Sequence, residues 1–158
     1  MNAPAAGCTL LGSLRQAQAR RAAAYNRLES ALCRDDAGYT SVVAEVTEAF
    51  AAASGDVRKL IAGVGSESPG VQRVLVSLQE KEREKLRITV MLHNICRRQM
   101  QQKDASAQPC DDFVGSSETV EKNKAAELIR ELEACVQAIN EAMEELAEEE
   151  EMIRERDE

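Results

Sequence analysis

The stretch YTSVVAEVTEAFAAASGDVRKLIAGV, residues 39–64, places apolar side chains at alternating steps of four and three: Tyr39, Val43, Val46, Phe50, Ala53, Val57, Leu60 and Val64. Those steps bracket the helical repeat of about 3.6 residues per turn, so the eight positions form one stripe along a helix. The same rhythm returns in Leu128, Leu132, Cys135, Ile139, Ala142, Leu146 and Ile153, within a stretch free of proline and glycine. A chain of this kind buries helix against helix. Composition agrees: 3% aromatic residues and no Trp require an aliphatic core, which suits helical bundles and coiled coils. At 158 residues, 30% charged and 44% hydrophobic, the chain suffices for one domain and is not a disordered polymer.

Working outward from residues 39–64, punctuation residues set four helices. Thr9 is a candidate N-cap for a first helix to about Cys33, after a small-residue, flexible N-terminus at 1–8. Its seam would be Leu11, Leu14, Gln18, Arg21, Tyr25, Leu28 and Leu32. Gln18 and Arg21 interrupt it, which predicts good packing only at the two ends. Arg34 to Gly38 carries turn residues, and the second helix follows from Tyr39 to about Ile61. Ser68-Pro69 reads as N-cap and first helical residue of a third helix reaching about Gln102. Its inward residues would be Val71, Val74, Leu75, Leu78, Ile88, Leu92, Ile95 and Cys96. Residues 103–116, with Pro109, Gly115, serines and aspartates, read as a flexible loop. Ser116 or Ser117 would cap a last helix to about Ile153, leaving an acidic end at 154–158. The expected fold is therefore all-α, an elongated antiparallel bundle or coiled coil of about four helices, with the third and fourth long and residues 9–153 one helical domain.

The formal charge of -8 lies in the final segment, because residues 141–158 hold ten acidic side chains against Arg154 and Arg156. The first 34 residues are basic, with Arg15, Arg20, Arg21, Arg27 and Arg34 opposed only by Glu29. Arg20, Arg27 and Arg34 are seven apart and share a face. Nucleic-acid modules add stacking aromatics or a net positive domain, neither of which this chain has, so direct DNA binding is not expected. No run of apolar residues is long enough to span a bilayer, and no apolar signal segment opens the chain, so neither membrane insertion nor secretion is expected. Five scattered cysteines read as reduced thiols rather than a disulfide framework.

Sites for chemistry are weakly signalled. His93 and Cys96 sit one turn apart and could touch a metal, yet His93 is the only histidine and no second ligand pair accompanies them. Gly63, Gly65 and Gly70 lack the Lys-Ser or Lys-Thr of a phosphate loop and read as helix breakers. No catalytic residue, metal or cofactor is expected. The sharper feature is the mixed-charge block around Lys81 to Lys85, where Glu82 and Lys85 replace apolar residues on the seam. Glu82, Lys85 and Arg87 are candidate partner contacts there, as are Glu148, Glu149 and Glu150 in the acidic tail.

Three segments give the chain a family likeness: YTSVVAEVTEAF at Tyr39–Phe50, LQEKEREKLRITVMLH at Leu78–His93, and Glu131 to Glu148. Together they resemble the required-for-excision B-type (REX1-B-like) DNA repair family, over most of residues 10–150. The resemblance implies participation in DNA excision repair, a nuclear site of action with a cytoplasmic pool left open, and no catalytic motif. A non-enzymatic accessory factor whose partners are other repair proteins is the function it implies, with a homo-oligomer also open. The alternative is a structural coiled-coil subunit of a cytoskeletal, ciliary or tethering complex.

Overall fold

The computed structural model describes residues 9–65, 68–105 and 114–157. Among them the secondary structure is four helices, α1 (Leu10–Ser30), α2 (Asp36–Val64), α3 (Pro69–Ala105) and α4 (Val114–Arg156). The protein is an all-α helical bundle. Chain contacts divide it into two compact units, Met1–Gln79 with Glu141–Glu158, and Glu80–Asn140.

Local chemistry explains the helix starts. The Thr9 hydroxyl accepts the Gly12 N–H at 3.0 Å, and the Asp35 carboxylate accepts the Gly38 N–H at 2.8 Å, each satisfying a donor left over in the first turn. Gly38 leaves room for that cap, since a Cβ there would stand 2.7 Å from Asp35 Oδ1 and displace the capping carboxylate. Asp35 therefore starts α2 a turn earlier than Tyr39. α2 ends at Gly65, whose φ of 54° lies in the left-handed region that favours glycine. α3 starts at Pro69 as the Ser-Pro pair predicts.

The expected loop at 103–116 is shorter at both ends. Lys103 to Ala105 continue α3, and α4 already begins at Val114, so Ser116 and Ser117 lie inside the helix instead of capping it. Gly115 is accommodated there at the roughly 1 kcal/mol a helical glycine costs. Residues 106–113, like the expected flexible N-terminus at 1–8, fall outside the described residues. α4 also runs on to Arg156, through the acidic end.

In the first unit α1 and α2 run antiparallel. Moving along α1, Arg20 pairs with Asp56, Arg21 bonds to Ser54 Oγ at 3.2 Å, Tyr25 meets Phe50, and Arg27 pairs with Glu45. The Tyr25 and Phe50 rings stand edge to face, 4.9 Å between centroids and 79° between planes. Buried α1 residues are Leu14, Ala17, Arg21, Ala24 and Leu28, followed by Ala31 at its end. α2 contributes Tyr39, Val42, Val46, Phe50, Ala53 and Val57, with Val42 rather than Val43 turned inward. Val71, Leu75 and Leu78 of α3 and Leu146 of α4 are buried in the same unit.

The expectation that α1 packs only at its ends is corrected by this core. Arg21 is 3% exposed, and its guanidinium donates to Gln18 Oε1 at 2.8 Å, to Ser54 Oγ and to Gln79 Oε1. Gln79 Nε2 in turn donates to the Ser54 carbonyl at 3.0 Å. A buried guanidinium is tolerated when it is hydrogen-bonded, and here side chains of three helices accept from its two Nη groups. The interruption in the apolar stripe is a polar node, and α1 stays covered along its length.

The second unit is a pair of antiparallel helix segments from α3 and α4. As α3 advances from Arg87 to Arg98, its ion-pair partner on α4 recedes from Glu131 to Glu121. Between them Ile88, Ile95, Leu128 and Cys135 form a buried cluster, flanked by Met91, Leu92, Ala125 and Leu132.

Candidate interaction surface

Seam spacing places the charged block of α3. Leu75, Leu78 and Glu82 follow at steps of three and four, so Glu82 stays on the covered stripe and is 3% exposed. The candidate partner contact Glu82 is thus an enclosed carboxylate in the single chain. Lys85 is half-buried, and Arg87 is exposed. Arg97, 8% exposed, is a second enclosed charge in this unit that its sequence neighbourhood does not announce.

Arg87 organises the exposed part. Its Nη2 and Nε reach the two Glu84 carboxylate oxygens at 2.6 and 3.1 Å, its Nη2 lies 4.0 Å from Glu131 on α4, and its Nη1 approaches Met91 Sδ at 3.1 Å. The bond from Arg87 holds the Glu84 carboxyl below the usual glutamate value, and Glu84 raises Arg87 in return. Arg98 reaches Glu121 at 3.5 Å, and Lys122 pairs with Glu118 at 2.9 Å within α4. Exposed pairs of this kind are screened by water, add little to stability and leave charge available to a partner. In the first unit Glu148 is exposed while Glu149 and Glu150 are half-buried, and every described side chain from Glu151 to Asp157 is exposed. Ile153, expected on the seam, is 45% exposed because the covered stripe ends with Leu146 and its neighbours.

The basic stripe of α1 is largely answered by α2. Arg20 bonds to Asp56 and Arg27 to Glu45, so two of its three arginines face carboxylates. The Arg20 hydrogen bond is the main cause holding the Asp56 carboxyl below the usual aspartate value. A depressed carboxyl contributes stability above its unfolded value, and that contribution is lost as pH falls through the lower folded value. Replacing Asp56 with Asn should therefore flatten the acid limb of the stability profile, as read by urea denaturation across pH. An unchanged acid limb would show that the pair contributes nothing.

His93 and Cys96 are each half-buried, and among the described residues no group of three or more His, Cys, Asp or Glu side chains gathers as a metal site. The thiols differ in accessibility. Cys33 is exposed, Cys96 half-buried and Cys135 enclosed in the α3–α4 cluster, where burial pushes its thiol above the usual value. A thiol reagent near neutral pH should label Cys33 about tenfold or more faster than Cys135, scored by peptide mass spectrometry. Equal rates would mean that the cluster opens freely. Among the described residues, no helix is long and apolar enough to cross a membrane.

The model of the family described as DNA repair REX1-B matches residues 9–96. No curated protein and no solved structure matches the chain. The matched region takes in α1, α2 and α3 as far as Cys96, and with it the Tyr39–Phe50 and Leu78–His93 segments; Glu131 to Glu148 lies beyond it. With more than half its length matched, the chain belongs to the DNA repair REX1-B family.

Proposed function

We propose that the protein acts in DNA excision repair, in the nucleus, as a non-enzymatic accessory factor that binds other repair proteins through exposed helical surfaces. The family match over residues 9–96 carries the repair part of this reading, since the family name denotes DNA repair. The helical surfaces support the rest. Arg87 with Glu84 and Glu131 forms a solvent-facing charged set on α3 and α4, and the end of α4 exposes Glu148, then Glu151, Glu155 and Asp157 interleaved with Arg154 and Arg156. Charges arranged this way steer a partner and fix its register more than they add affinity.

Contact through protein rather than DNA is favoured by the pairing of Arg20 and Arg27 with α2 carboxylates. Charge reversal tests the surface. Arg87→Glu should lower recovery of repair proteins cross-linked to the tagged chain after DNA damage, with helicity by circular dichroism unchanged. Undiminished recovery would remove Arg87 from the contact, and tight binding of damaged duplex at low salt by the isolated protein would replace the accessory reading with direct recognition.

A further inference from the structure

Beyond its charged block, α3 brings two sulfur atoms together. The Cys96 thiol lies 3.9 Å from Met100 Sδ, one helical turn further on. Two sulfurs each about 2.3 Å from a single ion, at an angle between tetrahedral and trigonal, stand about 3.8–4.0 Å apart. The pair is already spaced to share an ion. His93 lies one turn before Cys96, and steps of three and four put all three residues within about 60° on one side of the helix. Each is half-buried, open enough to admit an ion and covered enough to strip part of its water.

Donor chemistry selects the ion. A neutral thioether is a poor ligand for zinc or for the hard cations, whereas thiolate and thioether together suit Cu(I). Zinc also calls for four ligands, and among the described residues no group of three or more His, Cys, Asp or Glu side chains gathers to supply them. Cu(I), a soft ion with a filled d shell, is satisfied by three. We propose that Cys96, Met100 and His93 form a binding site for one Cu(I) ion. Cys96 binds as the thiolate and its proton passes to solvent, Met100 binds through a sulfur lone pair, and His93 through a neutral ring nitrogen. Copper remains Cu(I) throughout, so no oxidant or reductant enters. His93 and Cys96 look incomplete when only histidines and cysteines are counted; Met100 is the third donor. The site uses α3 alone and does not depend on the repair role.

Anaerobic titration of the reduced full chain against the coloured Cu(I) chelator bicinchoninate tests it. The wild type should withdraw one equivalent of Cu(I). Cys96→Ser should weaken that binding by about a hundredfold or more, and Met100→Leu and His93→Phe by about tenfold each, while circular dichroism stays helical. Met100→Leu conserves side-chain volume and removes only the donor, so it separates ligation from folding. Cys8→Ser, Cys33→Ser and Cys110→Ser should leave the equivalent in place. X-ray absorption at the copper edge should show two sulfurs at about 2.3 Å and one imidazole, with one sulfur fewer in Met100→Leu. No copper withdrawn from bicinchoninate, an affinity indifferent to any one of Cys96→Ser, Met100→Leu or His93→Phe, or a copper shell unaltered in Met100→Leu would overturn the proposal. So would loss of the equivalent on replacing Cys8, Cys33 or Cys110.

Discussion

Replacing Arg21 with Ala should lower the free energy of unfolding by about 3 kcal/mol, one of the largest losses available to a single charged side chain here. Two effects add. The aliphatic stem of Arg21 fills the α1 seam between Ala17 and Ala24, both buried, so truncation opens a cavity. The guanidinium also supplies Gln18, Ser54 and Gln79, and its removal leaves those polar groups short of donors inside the first unit. Arg21→Met separates the two, because it keeps most of the stem and removes only the donors. It should retain about 1–2 kcal/mol of what Arg21→Ala loses. Urea denaturation followed by circular dichroism reads both. A loss below about 1 kcal/mol for Arg21→Ala would mean that the node is a surface feature rather than part of the core.

Leu128→Ala should act as strongly and in a different place. Leu128 is 1% exposed and sits in a cluster whose other buried members are Ile88, Ile95 and Cys135. A buried leucine cut to alanine costs about 2–5 kcal/mol, and the upper half applies where few neighbours can close the cavity. Native-state hydrogen exchange locates the loss. Amides of α3 after Glu80 and of α4 before Asn140 should lose protection, while those of α1 and the first half of α2 keep theirs. Equal loss in α1 and α2 would show that the two units unfold as one.

Much of this fold is legible in the sequence because helix signals are local. The three-and-four rhythm of residues 39–64 reports a face, and the observed face takes Val42 in place of Val43 and is fully buried only as far as Val57, with Leu60 and Val64 half-buried. Ser68-Pro69 marks its boundary for the same reason. What local reading misses is decided by distant residues. Arg21 looks like an interruption until Gln79, 58 positions later, is seen to accept its hydrogen bond. Spacing from Leu78 puts Glu82 on the seam, but that it is enclosed at 3% exposure rather than open to a partner depends on the residues packed over it. The basic stripe of α1 has no acidic partner within its own segment until α2 folds back and brings Glu45 and Asp56 to Arg27 and Arg20. The start of α4 departs from its local signals for the opposite reason: glycine and serine signal a cap, but neither prevents a helix that is already under way.

The family assignment stands on residues 9–96, and the role that follows from it is open to direct measurement. Cells deleted for the gene can be irradiated with ultraviolet light and the disappearance of lesions from their DNA followed over time. The account predicts slowed lesion removal and lowered survival, restored by the wild-type chain and not by a chain carrying Arg21→Ala together with Leu128→Ala. Lesion removal at the normal rate in the deleted cells would contradict it.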